Sequence, residues 1–339
     1  MGPQFSVARS LCQTRSRAHM DEKVKRPSKV SDLLEKAANG GRSREDQALI
    51  DTMQAEIARL RKARAPGKIK VKRGKAAKHL TRVIVPDSHG NHIDPGASST
   101  FLADLAQIAP DEIVMLGDHL DAGGTFSTHQ RSYTNELVES YADDCDATNA
   151  FLDAIQHAAP SARIEYIEGN HEQHIERWAA REFHSHRDAE LAVTLLGPVG
   201  RLRLRERSIN YYRRSEFYDG LSIPGTIRRG RVFFTHGVSH SKHADAVHLE
   251  RFGASVVFGH VHRSISVVSR TVTSDGHGAW CPGTLAKLQP LYRHTHPTSW
   301  SHGYGVEFVN LSTGTFLHLN VPILDGESML RVVTSLGAR

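Results

Sequence analysis

The sequence predicts an α/β fold: a largely parallel sheet covered by helices on both faces, followed by antiparallel strands that complete a second sheet. Three observations carry that expectation. Across residues 81–183, short β-branched or apolar runs alternate with helix-period stretches, as a parallel sheet with crossover helices requires. Over 264–272, 303–309 and 315–321, apolar and polar residues alternate, the mark of antiparallel strands. Five apolar runs, finally, stop at polar motifs instead of plain turns.

The composition is that of a globular protein long enough for one large domain or two smaller ones. Apolar residues make up 39% of the 339, mean hydropathy is −0.41, and no run approaches the roughly 20 apolar residues of a bilayer span. No membrane partner is expected. Cys12, Cys145 and Cys281 are odd in number and far apart, which implies neither a disulfide framework nor a CxxC knuckle and points to a reducing, cytoplasmic setting.

Residues 1–42 lack hydrophobic periodicity and read as a disordered basic tail, with no apolar core of a secretory signal. Residues 43–66 read as a helix, in which Ile50, Met53, Ile57 and Leu60 form an apolar seam before Ala65-Pro66-Gly67 ends it. The seam covers fewer than three heptads. It leaves open packing on its own domain and a homodimer formed through 43–64. Residues 67–80 form a basic linker into the main domain, 81–339. Between 61 and 82 there are ten Lys or Arg and no Asp or Glu, in a chain of net charge +6 and pI near 9.3. Such a block serves as a solvated linker or as an electrostatic footprint for nucleic acid.

Within the main domain, Thr81-Arg-Val-Ile-Val-Pro86 is a strand ending in Asp87-Ser88-His89-Gly90. A helix over 99–108 follows, with Phe101, Leu102, Leu105 and Ile108 on one face. The run Glu112-Ile-Val-Met-Leu116 stops at Gly117-Asp118-His119-Leu120-Asp121, and a helix is expected over 136–157. The run Ile164-Glu-Tyr-Ile167 then reaches Glu168-Gly169-Asn170-His171, with a helix over 172–183. Residues 184–230 read as an arginine-rich insertion or lid-like segment. Order resumes at Arg231-Val-Phe-Phe-Thr-His236-Gly237, and Ala254-Ser-Val-Val-Phe258 runs into Gly259-His260-Val261-His262.

Carboxyl ends of strands converge in open α/β sheets, so these five motifs can meet in one crevice. A single such motif is weak, because a lone buried His or Asp is more often a hydrogen-bonded core residue. Five in order are not. Asp87, His89, Asp118, Asn170, His236, His260 and His262 offer mixed nitrogen and oxygen donors that suit two divalent transition-metal ions, manganese first, with iron, zinc or cobalt as alternatives. Asp118 is the central candidate to bridge them. Two such ions stay electrophilic beside two aspartates, attract a phosphate oxyanion and acidify a shared water for in-line attack.

These motifs, over residues 83–262, resemble the signature of the calcineurin-like metallophosphoesterase superfamily: D-x-H, G-D-x-x-D, G-N-H-(D/E), H and G-H-x-H. The resemblance implies a sandwich of two mixed sheets flanked by helices. It also implies one ion on Asp87, His89, Asp118 and His262, and a second on Asp118, Asn170, His236 and His260. His171 would act as general acid or donor to the leaving-group oxygen, oriented by Asp121. Eukaryotic-type Ser/Thr phosphatases have arginines where this chain has Ala122 and Glu168, which argues against that activity. The segment 123–131 with the Gly-Asn-His and Gly-His-x-His surroundings looks more like bacterial and bacteriophage enzymes, loosely exonuclease-like, and His129, Arg131 and Arg263 are candidate substrate contacts. The expected function is phosphate-ester hydrolysis by a dinuclear site with nucleic-acid phosphodiesters as favoured substrates. Alternatives are a small-molecule phosphodiesterase or phosphomonoesterase and a non-catalytic DNA- or partner-binding subunit.

Overall fold

The computed structural model describes residues 78–122, 126, 140–272, 274–290 and 297–331. The expected tail, the helix over 43–66, nearly all of the basic linker, His129 and Arg131 lie outside the described residues. In chain order the strands are β1 (His79–Val85), β2 (Glu112–Met115), β3 (Arg163–Ile167), β4 (Asn210–Tyr212), β5 (Thr226–Arg229), β6 (Val232–Thr235), β7 (Ser255–Phe258), β8 (Ser264–Thr271), β9 (Ser274–Pro282), β10 (Gly303–Asn310), β11 (Phe316–Leu324) and β12 (Glu327–Ser328). The helices are α1 (Pro95–Ile108), α2 (Tyr141–Ala158), α3 (Gln173–Glu182), α4 (His186–Leu196), the single turn α5 (Pro198–Arg201) and α6 (Ala244–Phe252). None of them is long and apolar enough to cross a membrane.

Two mixed sheets result, one ordered β12-β11-β10-β1-β2-β3-β4 and the other β5-β6-β7-β9-β8. The two-residue period of a strand explains how they stack. On β1 and β2, Val83, Val85, Ile113 and Met115 pack under α1 and α2, whereas Ile84 and Val114 turn to the opposite face and meet Phe234 and Val257 of the second sheet. Val256 and Phe258 face the other way, against α6. Three apolar cores therefore separate four layers: helices, sheet, sheet, helix. Strands buried on both faces must read as continuous apolar runs, and these do.

Polar cross-links fix the sheets to each other. Arg229 on β5 reaches across to Glu165 on β3 at 3.1 Å. The side-chain amide of Asn320 on β11 donates to the carbonyls of Ile265 and Cys281, both at 2.8 Å. Residues 184–230 carry the chain from one sheet to the other, containing α4 and α5 and the edge strands β4 and β5. Several of their arginines are held by carboxylates: Arg207 by Asp153 at 2.7 Å and Arg213 by Glu190 at 3.3 Å.

The structure corrects one detail of the sequence reading. Only the hairpin β8–β9 completes the second sheet; β10, β11 and β12 extend the first, because β10 pairs antiparallel with β1. That pairing buries Arg82 of β1 between Glu112 of β2 and Glu307 of β10. Helix ends also differ. Asp94 caps α1 by accepting the Ala97 N–H at 2.8 Å, with Pro95 in the first turn, and Ser140 caps α2 by accepting the Asp143 N–H at 3.1 Å.

Candidate metal centre

The strand ends meet. Asp87 and His89 follow β1, Asp118 and Asp121 follow β2, and Asn170 and His171 follow β3; His236 follows β6, and His260 and His262 follow β7. Four of the seven candidate ligands hold left-handed backbone conformations that non-glycine residues avoid: His89 at φ 52°, Asp118 at 51°, His260 at 70° and His262 at 56°. Each costs about 1–3 kcal/mol, so the surrounding bonds must enforce it. Enforcement comes from neighbouring loops. Ser88 and His89 donate their backbone N–H groups to the Asp118 carbonyl at 3.1 and 2.9 Å, and the His260 N–H points at Asp87 Oδ1 and Oδ2, both at 3.1 Å.

Two donor groups form. In one, His262 Nε2 lies 3.0 Å from both Asp87 Oδ2 and His89 Nε2. In the other, His236 Nε2 lies 3.1 Å from Asp118 Oδ2, 2.9 Å from Asn170 Oδ1 and 3.2 Å from His260 Nδ1. Asp118 Oδ2 also stands 4.0 Å from His89 Nε2, which puts this carboxylate between the groups.

The arrangement fits cations. His236 Nδ1 lies 2.9 Å from the Leu116 carbonyl, which can only accept, so Nδ1 carries the proton. Burial disfavours a charge on His236, but Asp118 outweighs it and raises the pKa, so without an ion Nε2 holds a proton between the acceptor oxygens of Asp118 and Asn170. A positive ion would take that proton's place and meet the lone pair of the neutral ring. His89 repeats the pattern, its Nδ1 held by Asp121 Oδ1 at 2.8 Å and its Nε2 turned inward. Pinning the outer imidazole nitrogen to a carboxylate or carbonyl is how proteins orient metal-binding histidines. Donors about 2.1 Å from one ion are roughly 3.0–3.4 Å apart, the spacing seen here. Charge distribution agrees. Burial disfavours charge on Asp87, yet the imidazoles of His262 and His236 outweigh it and hold that carboxyl at about 2. Asp118 is likewise held well below the carboxylate range against its burial, chiefly by His236 and His171. Burial depresses His260 to about 3, leaving a neutral donor.

His171 differs from the buried ring donors. Its side chain is 21% exposed, against 3% for His89 and 0% for His236. Its Nδ1 sits 2.8 Å from the Asp121 carbonyl and 3.2 Å from Asp121 Oδ1, and its N–H donates to Asp118 Oδ1 at 2.8 Å. Burial works against protonation, but Asp118 and Asp121 prevail and raise its pKa well above the usual histidine value. The Asp121 carboxylate is thus shared between His89 and His171. Arg263 is half-buried and donates to the Ser241 carbonyl at 3.0 Å.

Sequence reasoning missed three neighbours. Glu172 is buried and accepts the backbone N–H groups of Asp118, His119, Leu120 and Gly169 together with the Tyr166 hydroxyl. Trp300 stands edge-on to His262 with ring centroids 4.2 Å apart. Arg214 follows β4 and bonds the Gly237 carbonyl. Glu172 had a sequence signal as the acid after Gly-Asn-His, and Arg214 had one as a member of the arginine-rich segment 184–230.

No family model and no curated protein sequence matches the chain. Solved structures with a similar course of the backbone include a hypothetical protein, PH1004, from Pyrococcus horikoshii (12% identity, TM-score 0.37, covering 76% of this chain and 91% of that one). Vacuolar Protein Sorting 29 from Cryptosporidium parvum is similar at 11% identity and TM-score 0.36, over 74% of this chain and 95% of that one. Yfce, a phosphoesterase from E. coli, is similar at 14% identity and TM-score 0.30, over 71% and 99%. At these levels the likenesses carry no argument about chemistry, which rests on the site's own atoms.

Proposed function

We propose that the chain is a dinuclear metal-dependent phosphoesterase. The observation that supports this best is the pair of donor groups joined by Asp118, with His236 Nε2 facing acceptor oxygens at 2.9 and 3.1 Å. Asp87, His89, Asp118 and His262 would hold one ion, and Asp118, Asn170, His236 and His260 the other. When bound, two divalent ions would supply Lewis-acid stabilisation of phosphoryl oxygens and lower the pKa of a water. The protein residues do the rest. Asp121 keeps the His89 ring turned inward and, through its carbonyl, fixes the His171 tautomer. His171 holds a proton at Nε2 and delivers it to the leaving-group oxygen.

For substrate we propose nucleic-acid phosphodiesters, supported by the basic block over 61–82, most of which lies outside the described residues. The arginines at 207, 213 and 229 lend less support than their number suggests, because carboxylates already pair them. Purified protein with Mn²⁺ should cleave a chromogenic phosphodiester and lose that activity in Asp118→Asn and His171→Ala variants. Activity unchanged by both substitutions sinks the assignment. A panel of cyclic nucleotides, nucleotides and oligonucleotides ranks substrates, and DNA binding should fall steeply with salt. Salt-independent or absent binding favours a small-molecule ester.

A further inference from the structure

We propose that Arg214 is the anion clamp of this site, a guanidinium held beside the Asn170, His236 and His260 group to bind a non-bridging oxygen of a substrate phosphate. The inference rests on the phosphoesterase reading and adds to it a residue outside the donor groups. Arg214 leaves β4, the strand next to β3, and so emerges at the same edge of the sheet as Asn170 and His171. Its main chain is fixed from two sides. The Arg214 N–H donates to Glu168 Oε2 at 2.7 Å, while Glu168 Oε1 accepts the Tyr211 hydroxyl at 2.7 Å. On the other side lies Gly225 at φ 63°, where an added Cβ would stand 2.9 Å from the Arg214 Cα. The side chain is then anchored by one bond, from Nη2 to the Gly237 carbonyl at 2.8 Å, immediately after His236.

That single anchor distinguishes Arg214 from its neighbours. Arg207, Arg213 and Arg229 lie against carboxylates, whereas Arg214 makes no carboxylate ion pair among the described residues. A guanidinium has five donors, so most of this one's capacity is left for a ligand. Burial disfavours the Arg214 charge, Asp118 favours it and Arg177 of α3 opposes it, so two guanidinium groups stand near the donor set. Cations collected beside donors that suit two more cations make a poor resting arrangement and a good anion site. A phosphoryl group in transfer is such an anion, with charge spread over oxygens that fixed donors stabilise.

The competing explanation is that Arg214 merely offsets Asp118, Glu168 and Glu172. Orthophosphate binding separates the two. The full chain, loaded with Mn²⁺ and with its metal content measured, is titrated with inorganic phosphate by calorimetry for wild type, Arg214→Gln and Arg214→Lys. Losing charge-assisted bonds should weaken phosphate binding about 10- to 100-fold in Arg214→Gln, with Arg214→Lys between the two and metal content unchanged. KM for a phosphoester should rise in the same order. If Arg214→Gln also loses metal, Arg214→Lys is compared at full metal content, where weakened phosphate binding sustains the clamp and wild-type binding overturns it. Wild-type phosphate affinity in Arg214→Gln overturns it directly. Should wild type neither bind phosphate nor cleave a phosphoester, the phosphoesterase reading falls and takes the clamp with it; should wild type do both and Arg214→Gln match it, the clamp alone falls.

Discussion

Glu172→Gln should loosen the loops after β2 and β3 together, because one carboxylate fastens both. Its Oε1 accepts from the His119 N–H at 2.7 Å, the Leu120 N–H at 3.1 Å and the Tyr166 hydroxyl at 2.6 Å; Oε2 accepts from the Asp118 and Gly169 N–H groups, both at 3.0 Å. Glutamine can keep the three-donor side by placing its carbonyl oxygen there. Its NH2 then faces the two remaining N–H groups, and both become buried donors without acceptors. Each costs about 1–3 kcal/mol, so the pair costs about 2–6 kcal/mol, a large part of a typical domain stability of about 5–15 kcal/mol. Both affected N–H groups flank donors of the site, those of Asp118 itself and of Gly169 before Asn170. Metal affinity should therefore fall with stability. Urea denaturation of metal-free protein and Mn²⁺ titration of wild type and variant measure the two effects. A stability loss below about 1 kcal/mol with unaltered metal affinity would refute the bracing role.

Two other perturbations act on the same framework. Gly117→Ala places a Cβ 2.5 Å from the Gly169 nitrogen and 2.8 Å from the Ile167 carbonyl, at a φ of 97°, and should cost about 2–5 kcal/mol in denaturation experiments; a neutral result would show that the β2 and β3 loops are not in close contact. The Asp87 carboxyl, buried but held by His262 and His236 at about 2 against an ordinary 3.8, contributes stability that is complete above pH 3.8 and lost as pH falls toward 2. Metal-free protein should lose about 2 kcal/mol across that window, and Asp87→Asn should flatten the acid limb of its stability profile. Identical acid limbs would contradict the pairing.

The strand ends were legible because each couples a short apolar run to an abrupt polar motif, and both are local. Ile84 and Val114 read as buried for the same reason: a parallel strand between two layers is apolar at every position. Partner choice was not legible. Alternation marks 303–309 as a strand, but only the long-range pairing with β1, with Arg82 bridging to Glu307, decides which sheet it joins. The described helix α2 starts at Tyr141 behind its Ser140 cap, and residues 136–139 of the expected helix lie outside the described residues. Glu168 was read from the sequence for what it replaces; in the structure it positions Arg214 through a backbone N–H, a contact that links residues 46 apart. Asp121 shows the same limit: the resemblance implied a partner for His171, and in the structure its carboxylate oxygen Oδ1 lies 2.8 Å from His89 Nδ1 and 3.2 Å from His171 Nδ1.

Metal stoichiometry tests the central claim most directly. Protein stripped of metal and titrated with Mn²⁺, followed by calorimetry and by elemental analysis after desalting, should take up two ions per chain. Asp118→Asn should weaken both binding events, because Asp118 belongs to both groups, while His262→Ala should weaken one and His236→Ala the other. Binding of no transition metal, or two-ion binding untouched by Asp118→Asn, would contradict the account.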